Sequence, residues 1–119
     1  MPTQEIQRGE WTTFFDTFSK MHPGDTATVQ VLDPDLGVSE EARSLPFVGI
    51  SADRKGSEKD AIWILLGTEA EDHLEHMVPE PTHVWLKSGD TSKGDALEIE
   101  AEDGTKTIVQ LEHTPRLKP

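Results

Sequence analysis

An aromatic stripe near the start of the chain constrains its fold more than any other feature. Four aromatic residues follow an i, i+3, i+4, i+7 spacing: Trp11, Phe14, Phe15 and Phe18. This spacing puts them on one face of an α-helix. A single short helix is marginal in water, so its aromatic face has to pack against other parts of the chain. We predict a helix over about residues 8–21, ended by the sequence His22-Pro23-Gly24.

The sequence after this helix has the patterns of β-strands. Residues 26–32 and 96–101 alternate apolar and polar side chains, as half-buried strands do, and residues 61–66 form the continuous apolar run of a strand buried on both faces. Residues 38–44 fit either a polar edge strand or a short helical turn. Asp103-Gly104 is a hairpin signal, for which we predict a type I′ turn.

These patterns predict an α+β fold. We expect the N-terminal amphipathic helix to pack on a curled, mostly antiparallel sheet, or on a small, partly open β-barrel, of six or seven strands. No stretch of the sequence has the length or composition of a linker between domains. We therefore predict a single domain over residues 1–119, with the helix at about 8–21, a β-rich body at about 25–113 and a short C-terminal tail.

The charge balance excludes several classes of protein. The 119 residues include 23 Asp and Glu against 11 Lys and Arg, a formal net charge of −12, whereas nucleic-acid binders carry a basic surface. There is no cysteine, and no apolar run has the length of a membrane span or the character of a signal-peptide core. We expect a soluble, cytoplasmic bacterial protein that binds neither nucleic acid nor membrane.

The histidines give the strongest hint of chemistry. His73 and His76 are three residues apart, with Glu75 between them, His83 further on, and Glu71 and Asp72 just before. On a helix the first two would share a face and could ligate one metal, but on a strand an odd separation sends them to opposite faces. The segment has the pattern of a loop leading into a strand, which favours one surface histidine and one near the core. The alternative, a metal site at His73, His76, His83 and Glu75, requires the ring nitrogens to converge within about 4–5 Å.

Three glutamates alternate along a predicted strand: Glu98, Glu100 and Glu102. Neighbours on one strand face are about 6.6–7 Å apart, too far for a tight carboxylate pair, so we interpret the stripe as a solvated sheet face. Asp33-Pro34-Asp35 has only the opening of a calcium-binding loop, and no nucleophile-elbow, P-loop or dinucleotide-binding motif is present. The sequence therefore predicts no catalytic residue and no cofactor.

Four segments carry a resemblance to a known family. They are Glu10-Trp11-x-x-Phe14-Phe15-x-x-Phe18-Ser19, Leu45-Pro46-x-x-Gly49-Ile50-x-x-Asp53, His76-x-Val78-x-x-Pro81, and Leu97-Glu98-Ile99 with Asp103-Gly104-Thr105. With these motifs the chain resembles, over nearly its whole length, a family of small uncharacterised bacterial domains of unknown function. That family has no assigned activity or catalytic residues, so the resemblance implies a compact domain and transfers no site.

Two functions are compatible with these observations. We favour a non-enzymatic binding or accessory domain that contacts a protein partner, or a second copy of itself, through a sheet edge or an aromatic patch. The alternative is a metal-binding or metal-dependent enzyme that uses the histidines and carboxylates between residues 71 and 83.

Overall fold

The computed structural model describes residues 3–22, 24–53, 61–67, 74–88 and 94–112. Within them a 3₁₀ turn at Arg8–Glu10 leads directly into helix α1, Trp11–Lys20. The strands are β1 Thr3–Glu5, β2 Thr26–Asp33, β3 Gly37–Asp53, β4 Ala61–Leu66, β5 Leu74–Pro79, β6 Pro81–Lys87, β7 Ala96–Ala101 and β8 Lys106–Glu112. The α+β class and the predicted helix are confirmed.

The strands form one curled antiparallel sheet in the order β1-β6-β7-β8-β2-β3-β4-β5. The described strands do not close into a barrel, because β1 and β5 each pair on one side only. The predicted count of six or seven strands is wrong, since the described residues form eight. The missed strand is β1, whose three exposed residues have no apolar alternation and which exists only because it pairs with β6.

Strand β3 is 17 residues long and belongs to two parts of the sheet. Its first part, residues 37–46, pairs with β2, and its second part, residues 47–53, pairs with β4. Register shifts opposite Val29 show β-bulges in the first part. Residues 38–44 are therefore strand, and the bulges explain why their sequence lacks a clean alternation.

Strands β5 and β6 follow each other through a corner at Glu80. This residue has φ 48°, in the left-handed region, and its carbonyl accepts a hydrogen bond from the backbone N–H of Glu102 at 3.0 Å. Pro79 and Pro81 flank it, and neither could donate a ladder hydrogen bond. The corner turns the chain from β4 on one side to β7 on the other, which gives the sheet its curl.

Helix α1 packs on β3 and buries its aromatic stripe. Trp11, Phe15 and Phe18 are buried and join a core that includes Ile64 and Val109. The Trp11 indole N–H donates to the carbonyl of Ile6 at 3.0 Å. Among the described residues, no helix has the length and apolar character that crossing a bilayer requires.

The β7–β8 hairpin lies at the predicted place but has a different turn. A type I′ turn needs positive φ at both central residues. Here Gly104 has φ 92°, whereas Asp103 is not among the residues with positive φ. The Gly104 N–H donates to Ala101 O at 3.0 Å, and the Ala101 N–H donates to Thr105 O at 2.9 Å. This is the pattern of a type I turn followed by a glycine bulge, and the predicted type I′ turn is wrong.

Candidate binding face

The outer side of one half of the sheet is the most extended functional candidate in the described residues. It is made by β6, β7, β8, β2 and residues 37–44 of β3, and we call it the outer face. The ladders place one residue from each strand in a row across it: Trp85, Glu98, Ile108, Gln30 and Glu40. Their chain neighbours Val84, Leu97, Val109 and Val29 point the other way and are fully buried. Helix α1 packs on the core side, and within the described part of the chain the outer face is left uncovered.

Apolar side chains cross the outer face diagonally. The next row of paired residues is His83, Glu100, Lys106, Leu32 and Val38. Val38, Leu32 and Ile108 are neighbours in these rows, and Trp85 lies one strand further on, beyond Glu98; we call these four residues the apolar stripe. Val38 is 67% exposed, and Leu36 at the hairpin tip beside it is 87% exposed. The other members of the stripe are partly exposed.

The charged groups on the outer face are largely paired with one another. The Lys87 ammonium lies 2.9 Å from Glu98, whose side chain is only 15% exposed. The Arg43 guanidinium donates to both carboxylate oxygens of Glu40, at 2.8 and 3.2 Å. This hydrogen-bonded carboxylate raises the pKa of Arg43. At the edge, Glu5 accepts a hydrogen bond from His83 at 2.8 Å.

The predicted glutamate stripe is not a uniformly solvated face. Glu98 is mostly buried beside Lys87, and Glu100 lies opposite His83 and Lys106 in the ladders. Glu102 lies in the turn after β7 and does not continue the strand face. The outward orientation predicted for Glu98 and Glu100 is confirmed, since their chain neighbours Leu97 and Ile99 are fully buried. Because β7 is an interior strand, neighbours on both sides also supply partners for its outward side chains.

A polar cleft of about 360 Å³ lies on the outer face where β3 is bulged. Its lining includes Thr28, Gln30, Arg43, Ser44, Ile108 and Glu112. Ser44 has φ 52°, and its N–H donates to the Thr28 hydroxyl at 3.1 Å. Its own hydroxyl donates to Glu112 at 2.8 Å. These bonds fix the bulge that opens the cleft beside the apolar stripe.

The structure does not bring the described members of the histidine cluster together. His76 lies on the core side of β5, opposite the fully buried Ile64, whereas His83 lies on the outer face. Glu75 is exposed and alternates with His76 along the strand, so it points to the other side. Within the described residues, no three metal-ligating side chains form a cluster. His73, Glu71 and Asp72 lie outside the described residues.

His76 has the environment of a core-facing histidine at a sheet edge. Burial lowers its pKa, and the charge of Glu41 opposes this with a smaller effect. The imidazole is therefore kept neutral beside apolar residues. His83 is different, because its ring is stacked on Trp85 with the centroids 5.2 Å apart and its side chain is 49% exposed.

A further histidine has a more elaborate setting, which the sequence analysis did not single out. His22 Nδ1 lies 2.8 Å from Asp25 Oδ2, and its Nε2 lies 3.6 Å from Asp95 Oδ2. Its ring packs against Phe18 and Phe47. The group joins the end of α1 to residues just before β2 and β7. The spacing of His22 and Asp25 was a signal for the local pair, but the approach of Asp95 depends on the sheet topology.

The fold defines a small α+β protein built on a curled antiparallel sheet. The chain belongs to the Family of unknown function (DUF5335), whose model matches residues 2–119. It is 27% identical over 111 residues to an uncharacterized protein of Aquifex aeolicus (strain VF5), an alignment that covers 93% of each chain. No solved structure matches the chain. The predicted family resemblance is confirmed, and the family itself has no assigned function.

Proposed function

We propose that this protein is a non-enzymatic binding domain that contacts a protein partner through its outer face. The apolar stripe carries this proposal. Single exposed apolar residues are normal on protein surfaces, but here the strand register makes several of them neighbours. Leu32 and Ile108 are diagonal neighbours across the β2–β8 ladder, and Val38 lies directly opposite Leu32.

The surroundings of the stripe also support protein binding. Trp85 offers a large aromatic surface, and its stacking on His83 limits its motion. Tryptophan is enriched among the residues that dominate binding free energies. The Glu40–Arg43 ion pair forms a charged border beside Val38, whereas the Glu98–Lys87 pair lies within the face, between Ile108 and Trp85. An apolar centre with a polar rim is the usual organisation of protein interfaces.

The polar cleft gives the face a second recognition element. It lies next to Ile108, which lines both the cleft and the stripe. Gln30 and Arg43 border it and can donate hydrogen bonds to a partner. We therefore expect a bound protein to place apolar side chains on the stripe and a polar group in the cleft.

Site-specific photocrosslinking in cells that express the protein naturally tests this proposal. A photoreactive residue at Gln30, in the middle of the outer face, should give a discrete crosslinked species. The matched control places the same residue at Asp16, which is 66% exposed on helix α1 and lies away from the outer face. No species from position 30, or the same species from both positions, would contradict the proposal.

A substitution then tests whether the apolar stripe is the contact. Val38→Glu adds a charge to the stripe and should abolish the crosslink from position 30. Val48→Glu makes the same change on the same strand at a residue that is 55% exposed and outside the outer face, so it should leave the crosslink intact. Circular dichroism of both variants verifies that each remains folded.

A further inference from the structure

We propose that the partner on the outer face is a second copy of this chain, which forms a two-fold symmetric dimer. This inference rests on the proposed function and names the partner for it. Its first support is charge. The outer face, with Glu5 at its β1 edge, carries five carboxylates and three cations: Glu5, Glu40, Glu98, Glu100 and Glu112, with Arg43, Lys87 and Lys106. The whole chain has a net charge of −12, so most of the acidic excess lies elsewhere.

A face with little net charge on a strongly acidic chain is suited to self-association. Two chains of net charge −12 repel each other, and close contact is feasible only through a face that adds little to that repulsion. A strongly basic partner would bind best where carboxylates lack cations. On the outer face, Glu40 and Glu98 are already paired, and Glu112 accepts the Ser44 hydroxyl. The outer face therefore suits a partner surface that also has little net charge. A second copy of this chain has such a surface.

The size of the face fits a symmetric contact of modest strength. Five strands about 4.8 Å apart and about six residues long give a footprint on the order of 20 by 20 Å. Side-chain relief raises the accessible area toward the roughly 800 Å² per partner of standard interfaces. In a two-fold arrangement the same surface is used on both copies, so the apolar stripes cross each other. We expect a dissociation constant on the order of micromolar.

Sedimentation velocity over a concentration series measures this association directly. We expect the weight-average mass to rise from that of one chain to that of two between about 1 and about 100 μM. Val38→Glu and Val38→Lys should each weaken the dimer at least about tenfold, because both place a charge on the apolar stripe. Val48→Glu should leave it unchanged. A dimer that survives both Val38 substitutions uses another surface and overturns the inference.

The effect of salt distinguishes this dimer from one held together by opposite charges. Raising the concentration of sodium chloride screens the repulsion between the two acidic chains, so the dimer should become tighter. An interface held by opposite charges would weaken under the same change. A dimer that dissociates as salt is added contradicts the balanced face inferred above.

The crosslinking and sedimentation results together distinguish the two proposals. A crosslinked species of twice the chain mass, with reversible dimerisation of the purified protein, supports both. A monomer at every concentration, with a crosslink from position 30 to a different protein, overturns the dimer and keeps the binding domain. A monomer with no crosslink from position 30 overturns both.

Discussion

At Ser44 the backbone adopts φ 52°, a left-handed value that costs a residue with a Cβ about 1–2 kcal/mol. Thr28 and Glu112 hold it there by accepting hydrogen bonds from the Ser44 N–H and hydroxyl. The strained residue forms the bulge beside the polar cleft. Strain of this kind is commonly stored where a surface has to keep one particular shape.

Two substitutions at Ser44 separate the backbone strain from the side-chain hydrogen bond. Ser44→Ala loses the bond to Glu112 and keeps the strain, so we expect it to lower the free energy of unfolding by about 1 kcal/mol. Ser44→Gly loses the same bond but removes the steric penalty, and we expect it to be about 1 kcal/mol more stable than the alanine variant. Urea unfolding of both variants measures the difference. Equal stabilities would show that the backbone at this position is not strained.

His76 makes stability depend on pH. Its pKa in the folded protein lies below its ordinary value because of burial. Above about pH 6.5 the imidazole is neutral in both the folded and unfolded states. As the pH falls below that value, the unfolded state takes up the proton first, so folding stability decreases until the folded-state pKa is passed.

Replacing His76 tests this linkage. We expect His76→Leu and His76→Gln to flatten the dependence of unfolding free energy on pH between about 7.5 and 5.5, whatever their absolute stabilities. The measurement is urea unfolding at several pH values for the three proteins. A wild-type protein that gains stability on acidification through this range, or variants with an unchanged slope, would contradict the assigned environment. Glu41 favours the charged imidazole, so its removal should steepen the wild-type slope.

At the scale of single elements, helix α1 protects an edge of the sheet. Beyond residue 46, β3 has lost β2 as a neighbour, and its backbone groups on that side would be open. The Ser19 hydroxyl accepts a hydrogen bond from the Ile50 N–H at 3.0 Å and donates to the Ile50 carbonyl at 3.1 Å. Gly49 also lies close to the helix, since a Cβ there would be in van der Waals contact with Ser19 Oγ at 3.4 Å. One helical side chain thus takes the place of a neighbouring strand.

Ser19→Ala should therefore destabilise the protein by about 1–3 kcal/mol, because it leaves two backbone groups of Ile50 without partners. Alanine is the better helix former, so helix propensity alone predicts the opposite sign. Thr17→Ala is the matched control, as Thr17 is exposed on the same helix, and we expect a change within about 0.5 kcal/mol. If thermal unfolding shows the two variants to be equally stable, the contact with Ile50 contributes nothing.

Packing of the aromatic stripe gives a larger effect. Phe15 is fully buried, and we expect Phe15→Ala to lower the unfolding free energy by about 3–5 kcal/mol. Phe14 is its control, since it has the same ring on the same helix but lies only partly buried against the core. Phe14→Ala should be clearly less destabilising in the same denaturant experiment. Similar losses from the two variants would contradict the observed orientation of the helix.

Elements with a strong apolar period could be predicted from the sequence. The stripe from Trp11 to Phe18 specifies both the helix and its buried side, and the alternation in β7 specifies its core residues. Features that depend on pairing partners could not be predicted. β1 is strand because it pairs with β6, and Ser44 keeps its strained backbone because Thr28 and Glu112 bond to it. Glu98 is partly buried because Lys87 lies beside it. The outer face could not be predicted for the same reason. Four strand pairings decide which residues become neighbours on it.

At the scale of the whole molecule, stability should be distributed according to place in the sheet. Strands β7, β8 and β2 each have neighbours on both sides and contribute fully buried residues. Among the strands that the structure describes, β5 is the last in the order and pairs with β4 alone. Backbone amides in interior strands open mainly by global unfolding, whereas an edge strand also opens locally. Hydrogen exchange should therefore be slowest at residues such as Val109 and faster in the edge strands β1 and β5.

Alternation within β5 makes this prediction specific to single amides. The Ile50 backbone bonds to Ser19, so its partner Ile64 directs its own groups toward β5, where it pairs with His76. The His76 amide is therefore inside the ladder, and those of Glu75 and Met77 point to the open edge. We expect amide exchange measured by NMR to be slow at His76 and fast at its two neighbours. Equal protection at all three would mean that another strand covers this edge in solution, through association at β5 instead of the outer face.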